Sequence, residues 1–387
     1  MNPPPSPITE AAGLLASGAL LARRVGLRPS GDGPDAPATI LAGFKPGGFT
    51  LYRGDEPIDH FDLDGRWQRS FRAGTHHLKG LDGLVRVVDR PREGGGMVLR
   101  RRTLDPAGVA DLDARIAAAA GRLRDEVAAG KFVLMAPPAP AQAIAAAELV
   151  ATLDRIAAWD ADRWADHRAA YRAAYGDGPP PFLPPDCPNP VVLRATPGMT
   201  PDAMRDHARA VAALLGRRVE QCRDAFLAGP GWLDRPGDEV IGLFGAIRDV
   251  FPAGSGAGRV AAIHGWLDAV PATLPDAAGW AHLRDAGLGR VSLRVDPVPD
   301  LAGLDRLVPA AKGAGVGVGL VLFLAGGPDP TAGNRLAALP LGRGDLITLV
   351  GVEASGADLA AWKARLAATL PTPGPRAVVY NPDKQWA

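Results

Sequence analysis

Side chains that can bind an anion stand near the ends of strand-like apolar runs in the second half of this 387-residue chain. Guanidinium groups bind carboxylates and phosphates, and tryptophans contact the apolar part of a ligand. The candidate ligand-binding residues are Arg194, Trp266, Arg294, Asp296 and Glu353. Together they predict a site for an anionic or zwitterionic small molecule or a peptide.

His264 is the candidate catalytic residue, because an imidazole with a reference pKa of about 6.5 can act as a general acid or base near neutral pH. A histidine with a purely structural role at a strand end is the alternative interpretation. For Arg294 and Asp296 the corresponding alternative is an ion pair at the rim of the site. The sequence around these residues contains no compact catalytic motif, so it predicts a binding site more clearly than a reaction.

Seven apolar runs must position these residues. They begin near Val191, Arg223, Arg259, Arg290, Val316, Asp345 and Arg376. The intervals of about 30 residues suit βα units, and most contain a helix-like stretch. This pattern predicts an α/β protein with a partial or complete (β/α) TIM-type barrel in its C-terminal half. In such a barrel the site lies at the carboxyl ends of the strands.

The first half is predicted to contain an antiparallel β-rich module and helices. Asp64-Gly65 between two apolar runs predicts a type I′ hairpin turn, and Asp105 predicts a helix N-cap. The apolar stretch Ala11–Ala22 predicts an N-terminal helix. The predicted domains are 1–34 (N-terminal helix), 35–104 (β-rich module), 105–185 (helical region and Pro-rich linker) and 186–387 (barrel).

Composition argues against several classes of partner and location. The 43 basic and 42 acidic side chains give a net charge of +1, which provides no electrostatic drive toward nucleic acid. The stretch Ala11–Ala22 is too short to span a membrane, and its arginines follow it, opposite to a signal peptide. Two cysteines can form at most one disulfide, too few to stabilise a chain of this length as in disulfide-rich secreted proteins. We therefore expect a cytoplasmic protein.

The histidines of the first half do not predict a metal site. His60, Asp62, His76 and His77 lie in the β-rich module, but adjacent strand residues such as His76 and His77 point to opposite faces. The polar segment 160–167 is interpreted as a helix N-cap at Asp160 followed by a solvated face. No metal ligand is therefore assigned.

Several phrases of the second half resemble the barrel of the radical S-adenosylmethionine (radical SAM) superfamily. They are IGLFGAIRDVFP (241–252), RVAAIH (259–264), HLRDAGLGRVSLRVD (282–296) and AKGAGVGVGLVLFLAGG (311–327). The resemblance covers roughly residues 190–380. It implies that Asp296 stands where the family has a glutamate-containing turn, and that Gly326 and Gly327 approach the adenine of S-adenosylmethionine.

The defining chemistry of that superfamily is missing from this chain. Its [4Fe–4S] cluster needs three cysteines in a Cys-x3-Cys-x2-Cys loop after the first strand. Here ATPGMT (195–200) follows that strand, while Cys187 and Cys222 precede the first and second strands. The Gly-Gly-Glu type turn after the second strand is replaced by GPGW (229–232). We expect no [4Fe–4S] cluster and no resident cofactor, with S-adenosylmethionine left open as a ligand.

Three functional hypotheses follow from the sequence. The first is a cluster-less radical-SAM-like pseudoenzyme, a binding or accessory protein that recognises a peptide or small metabolite alongside a partner enzyme. The second is a non-radical enzyme in which His264 is the acid or base and Arg194 or Arg294 holds an anionic substrate. The third is a radical SAM enzyme with an atypical cluster.

Overall fold

A computed structural model describes residues 22–380, except 55–56, 90–91, 94–95, 98–99, 138, 178–182, 184–186, 188, 297–302 and 353. The chain divides into two compact units, of which the first ends at Gly176 and the second begins at Asp177. Among the described helices, none is both long enough and apolar enough to cross a membrane.

The first unit is built on an antiparallel sheet. Its strands are β1 (Arg23–Pro29), β2 (Ile40–Lys45), β3 (Gly48–Arg53), β4 (Ile58–Phe61), β5 (Trp67–Arg72), β6 (Thr75–Lys79), β7 (Val85–Asp89), β8 (Arg92–Glu93), β9 (Gly96–Met97), β10 (Arg100–Thr103) and β11 (Phe132–Met135). The nine-stranded sheet has the order β10-β7-β6-β5-β4-β3-β2-β1-β11, and β8 pairs with β9. The predicted β-rich module is therefore confirmed, with a sheet larger than the sequence indicated.

Two local predictions in this unit need correction. The predicted helix at 11–22 falls outside the described residues except for Ala22, and Arg23–Pro29 directly after it is a strand. The hairpin at Asp64-Gly65 exists, but its turn is not type I′, because Gly65 has a positive φ of 87° and Asp64 does not. The loop between β4 and β5 is longer than a two-residue turn. The Asp62 carboxylate stabilises it by accepting the backbone N–H groups of Asp64 and Arg66.

Three helices cover this sheet: α1 (Pro106–Ala128), α2 (Ala146–Ala157) and α3 (Ala161–Tyr175). Asp105 caps α1 as predicted, since its carboxylate accepts the N–H of Gly108 at 2.7 Å. Asp160 caps α3 in the same way through Arg163. The predicted solvated face of α3 is confirmed for Asp162 and Asp166, which are exposed, but it is wrong for His167, which is only 8% exposed.

His167 makes the stability of the first unit sensitive to acid. Its Nε2–H donates to the Leu81 carbonyl at 3.0 Å, and its ring packs edge-on against Trp159 and Trp164. Burial first, and then the charge of Arg66, lower the pKa of His167 to about 4 from 6.5. The folded form therefore resists protonation that the unfolded chain accepts.

We expect His167 alone to lower the free energy of unfolding by up to about 3 kcal/mol as the pH drops from 6.5 to 4, with its contribution fully present above pH 6.5. Urea unfolding of the full chain at several pH values measures this slope. His167→Gln keeps a donor for Leu81 but cannot titrate, so it removes this part of the slope, and the same change at exposed His282 is the control. Equal slopes in the two variants would contradict the assignment.

The second unit is a parallel α/β layer. Its strands are β12 (Val191–Arg194), β13 (Ala225–Ala228), β14 (Ile263–Leu267), β15 (Leu288–Val295), β16 (Gly317–Leu324), β17 (Leu346–Gly351) and β18 (Arg376–Val379). Its helices are α4 (Pro201–Leu215), α5 (Gly237–Val250), α6 (Ala277–Asp285), α7 (Leu304–Gly313), α8 (Pro330–Ala337) and α9 (Gly356–Thr369). The strands pair in chain order, all parallel, from β12 to β18. The fold is thus the predicted α/β class, with a partial TIM-like barrel.

Alternation along each strand gives this sheet two distinct faces. One face, which we call the outer face, carries fully buried apolar residues such as Leu193, Leu227 and Leu293. The other, the inner face, has its own apolar cluster that includes Phe226, Trp266 and Val321, all in contact with one another or with shared neighbours. Because parallel partners in register point the same way, the pairing fixes which polar side chains share the inner face.

Candidate functional site

Three predicted ligand-binding residues share the inner face near the carboxyl edge of the parallel sheet. Arg194 ends β12, Trp266 lies next to the last residue of β14, and Arg294 is next to last in β15. In each strand, the residue next to it in sequence points to the outer face, so its own side chain lies on the inner face. The register pairs Trp266 with Ser292, so Arg294 lies diagonally adjacent to Trp266 and closer to the edge. The sequence therefore placed these three residues correctly relative to the sheet.

Arg294 is held in a geometry suited to an anion. Its guanidinium lies over the Phe323 ring, 4.7 Å from the centroid, and donates from Nε to Asp296 Oδ1 at 3.1 Å. The side chains of Arg294 and Asp296 are 43% and 65% exposed, so the pair is a surface ion pair of the kind that contributes at most about 1 kcal/mol. An incoming carboxylate can displace Asp296 at little cost.

Trp266 contributes an apolar side chain to the inner face, diagonally adjacent to Arg294. It is 6% exposed, its indole Nε1–H donates to Asp268 at 2.8 Å, and its carbonyl accepts the Nε1–H of buried Trp232 at 2.7 Å. The bond to Asp268 orients the indole ring, and the bond from Trp232 holds the backbone of Trp266. Arg194 lies farther along the edge, where its backbone N–H donates to His207 Nε2 at 3.0 Å.

Of the remaining residues predicted at the carboxyl edge, Gly326 and Gly327 are described by the structure and Glu353 is not. Gly326 and Gly327 follow β16 as expected, and the Gly326 carbonyl accepts the Nε1–H of Trp362 at 3.0 Å, which ties the turn to α9. Glu353, predicted after β17, falls outside the described residues. The structure thus brings together Arg294, Asp296 and Trp266 and leaves the glycine turn without a polar side chain of its own.

The predicted position of His264 is wrong. The strand was expected to begin near Arg259, which would put His264 at the carboxyl end. Instead Val260 forms an isolated bridge with Ala253, and β14 begins at Ile263, so His264 is at the amino end. It pairs with Arg290, about 13 Å along the strand from the level of Arg294. His264 therefore does not serve a ligand bound at Arg294.

His264 lies instead in a cluster that sequence reasoning missed. Cys187 precedes β12 and Asp224 immediately precedes β13, and their donor atoms and a ring nitrogen of His264 all lie within 4.8 Å of one another. Both cysteines were already expected at the amino edge, and only the register of β14 separated His264 from them. The sequence carries no signal for this register, since only the pairing of Ile263 with Ala225 of β13 shows where β14 begins.

Burial sets the ionisation of this cluster. It lowers the pKa of His264, an effect that the neighbouring Asp224 carboxylate opposes. It also raises the pKa of the Cys187 thiol, and the charge of Asp224 raises it further. The described residues thus hold a neutral imidazole and a protonated thiol next to a carboxylate at neutral pH.

Comparison with known proteins gives this chain no family. No family model matches it, and no curated protein does. Among solved structures it is similar to an L-talarate dehydratase from Polaromonas sp. JS666, determined in complex with Mg and L-glucarate. That match has 13% sequence identity and a TM-score of 0.22, and covers 71% of this chain and 84% of that one.

The resemblance to radical SAM proteins is therefore wrong, since no family model, of that superfamily or of another, matches the chain, and no curated protein does. The phrases that suggested it lie in the helices and strands of the (β/α) repeat and in the turns between them. HLRDAGLGRVSLRVD, for example, covers the end of α6, the turn and the whole of β15. The adenine-binding role of Gly326 and Gly327 rested on the resemblance and is withdrawn with it.

Proposed function

We propose that the second unit binds a small organic anion at the carboxyl edge of its inner face. The ligand is a metabolite with a carboxylate or phosphate group, or the terminal carboxylate of a peptide. The observation that carries the proposal is Arg294, which lies half-exposed on Phe323 and, among the described residues, forms its ion pair with the exposed Asp296. Ligands of parallel α/β sheets bind at this edge as a rule.

In this proposal each residue has a separate task. The Arg294 guanidinium donates two N–H groups to the anionic oxygens, displacing Asp296, and its stacking on Phe323 fixes its direction beforehand. Trp266 contacts the apolar part of the ligand, and Arg194 adds positive potential along the edge. The protein acts in the cytoplasm, where the thiols of Cys187 and Cys222 stay reduced.

The test is a binding titration of the full chain with acetate, succinate, citrate, inorganic phosphate and a short peptide with a free carboxyl terminus. At least one of these anions should bind, and Arg294→Gln should weaken its affinity about 10–100-fold, because a charged hydrogen-bond donor is lost. Asp296→Asn should strengthen binding, because it removes the competing carboxylate.

The matched control is Arg306→Gln, which removes an exposed arginine from α7 and should leave the affinity unchanged. Anion binding that R294Q and R306Q weaken equally would reflect net charge alone and would refute the site. So would a wild-type chain that binds none of the five probes.

A further inference from the structure

A second polar centre lies on the same sheet at its amino edge, away from the proposed anion site. Cys187, Asp224 and His264 come from three neighbouring strand beginnings, which the parallel order of β12, β13 and β14 brings side by side. They supply a sulfur, a carboxylate oxygen and an imidazole nitrogen. The distance from His264 Nε2 to Asp224 Oδ1 is 3.9 Å.

These groups do not satisfy one another by hydrogen bonding. A separation of 3.9 Å is too long for a hydrogen bond between His264 and Asp224. Within the described part of the chain, neither the Cys187 thiol nor the His264 ring makes a hydrogen bond, although Cys187 is 3% and His264 9% exposed. The Cys187 sulfur and a His264 ring nitrogen are therefore available to bind a further partner.

We propose that Cys187, Asp224 and His264 bind one transition-metal ion, with Zn²⁺ as the best fit. Thiolate, imidazole and carboxylate together suit zinc, which takes sulfur at about 2.3 Å, nitrogen at about 2.0–2.1 Å and oxygen at about 2.0–2.2 Å. At the tetrahedral angle, donors with these bond lengths lie about 3.3–3.6 Å apart. The donors here all lie within 4.8 Å of one another, so binding one ion needs them to close by up to about 1.3 Å.

The surroundings of the cluster favour a bound cation. The thiolate and the carboxylate together neutralise a divalent ion, which matters at a site this buried. The backbone N–H of Ala262 donates to Asp224 Oδ1 at 3.2 Å and orients the carboxylate, as outer partners of metal ligands commonly do. When the ion binds, the Cys187 sulfur replaces its proton with a bond to the metal, and the proton passes to solvent.

Cys222 is close by but is otherwise engaged. Its thiol donates to the Arg218 carbonyl at 3.6 Å, so it is not a ligand in this arrangement. Three protein ligands leave the fourth tetrahedral position of zinc to water or to a small ligand, the pattern of zinc sites that bind or activate a molecule. The inference is independent of the anion site, because it uses none of the same residues.

Cobalt(II) substitution tests this site in the reduced, chelator-treated full chain. One equivalent of Co²⁺ should give a thiolate-to-cobalt charge-transfer band in the near ultraviolet and the visible bands of a four-coordinate ion, and Zn²⁺ should abolish both. Cys187→Ser should remove the charge-transfer band. His264→Gln and Asp224→Asn should each weaken Co²⁺ binding more than tenfold.

Cys222→Ser and His282→Gln are the matched controls and should leave the spectrum unchanged. Circular dichroism shows whether each variant is folded, and the wild-type spectrum decides the question even if a ligand variant fails to fold. The proposal is overturned if folded, reduced wild-type protein gives no charge-transfer band. It is equally overturned if the band survives Cys187→Ser or disappears with Cys222→Ser.

Discussion

Replacing Asp113 by alanine is expected to lower the free energy of unfolding of the first unit by about 3–5 kcal/mol. Asp113 is buried on α1, where its Oδ1 accepts both the Lys79 ammonium at 2.5 Å and the Trp67 indole N–H at 2.6 Å. The Lys79 side chain is only 1% exposed, and its nitrogen lies 3.3 Å from the centroid of the Trp164 ring. Alanine would leave that ammonium and the indole donor of Trp67 without their acceptor.

The same helix provides the control for this experiment. Asp111 forms an exposed ion pair with Arg115 at 2.8 Å, and Asp111→Ala should cost less than about 0.5 kcal/mol. Asp113→Asn, which keeps an acceptor for Trp67, should fall between the two. Urea unfolding measures all three, and a loss below about 1 kcal/mol for Asp113→Ala would show that Lys79 is not dependent on this partner.

Replacing Gly229 by alanine is expected to destabilise the second unit by about 3–5 kcal/mol and to weaken anion binding. Gly229 directly follows β13 with a φ of +138°, a conformation that residues with a Cβ rarely adopt. An added Cβ would lie 2.9 Å from the Ala195 carbonyl carbon and closer still to its oxygen. The Ala195 N–H donates to the Ala228 carbonyl at 2.6 Å, so the clash would push apart β12 and β13 where Arg194 is held.

Gly198 separates backbone strain from this steric clash. It has a φ of +73° in the loop after β12, and an added Cβ would meet nothing within 4 Å. Gly198→Ala should therefore cost only about 1–2 kcal/mol, the strain of the left-handed conformation. If unfolding curves show equal losses for the two variants, the close approach of Gly229 to Ala195 does not determine the stability of this edge.

The parallel sheet could be predicted because its signal is local and repeated. The expected beginnings near Val191, Val316 and Arg376 lie within a residue of the observed strands. β13, β14, β16 and β17 are mostly buried on both faces, and the strands from β12 to β17 are each followed by a helix, so apolar runs and their spacing carry most of the information. Arg294 and Trp266 could be placed on the same grounds, because they end such runs.

The amino-edge cluster could not be predicted, because it depends on where one strand begins. The run after Gly258 contains Val260 and Ile263, both apolar and both fully buried. Either residue could open a strand on composition alone. Only the pairing of Ile263 with Ala225 decides between them. With that pairing, His264 lies at the amino edge beside Asp224 and not at the carboxyl edge.

The first unit shows a different limit. Its hairpins follow from turn residues, but β1 pairs on one side with β11, which lies after α1 in the chain. Such a pairing depends on packing across the whole unit, and no local pattern specifies it. The burial of His167 and Asp113 has the same origin, since polar residues on a helix indicate solvent unless their partners across the sheet are known.

The most direct measurement of the proposed function is the indole N–H spectrum of ¹⁵N-tryptophan-labelled protein titrated with the best-binding anion from the titration series. Trp266 lies beside Arg294 on the inner face, while Trp280 is fully buried on α6 and serves as an internal reference. We predict a saturable shift of the Trp266 signal, no shift of the Trp280 signal, and no saturable shift in Arg294→Gln. A Trp266 signal that stays fixed while the anion binds, or that shifts identically without Arg294, would contradict the site.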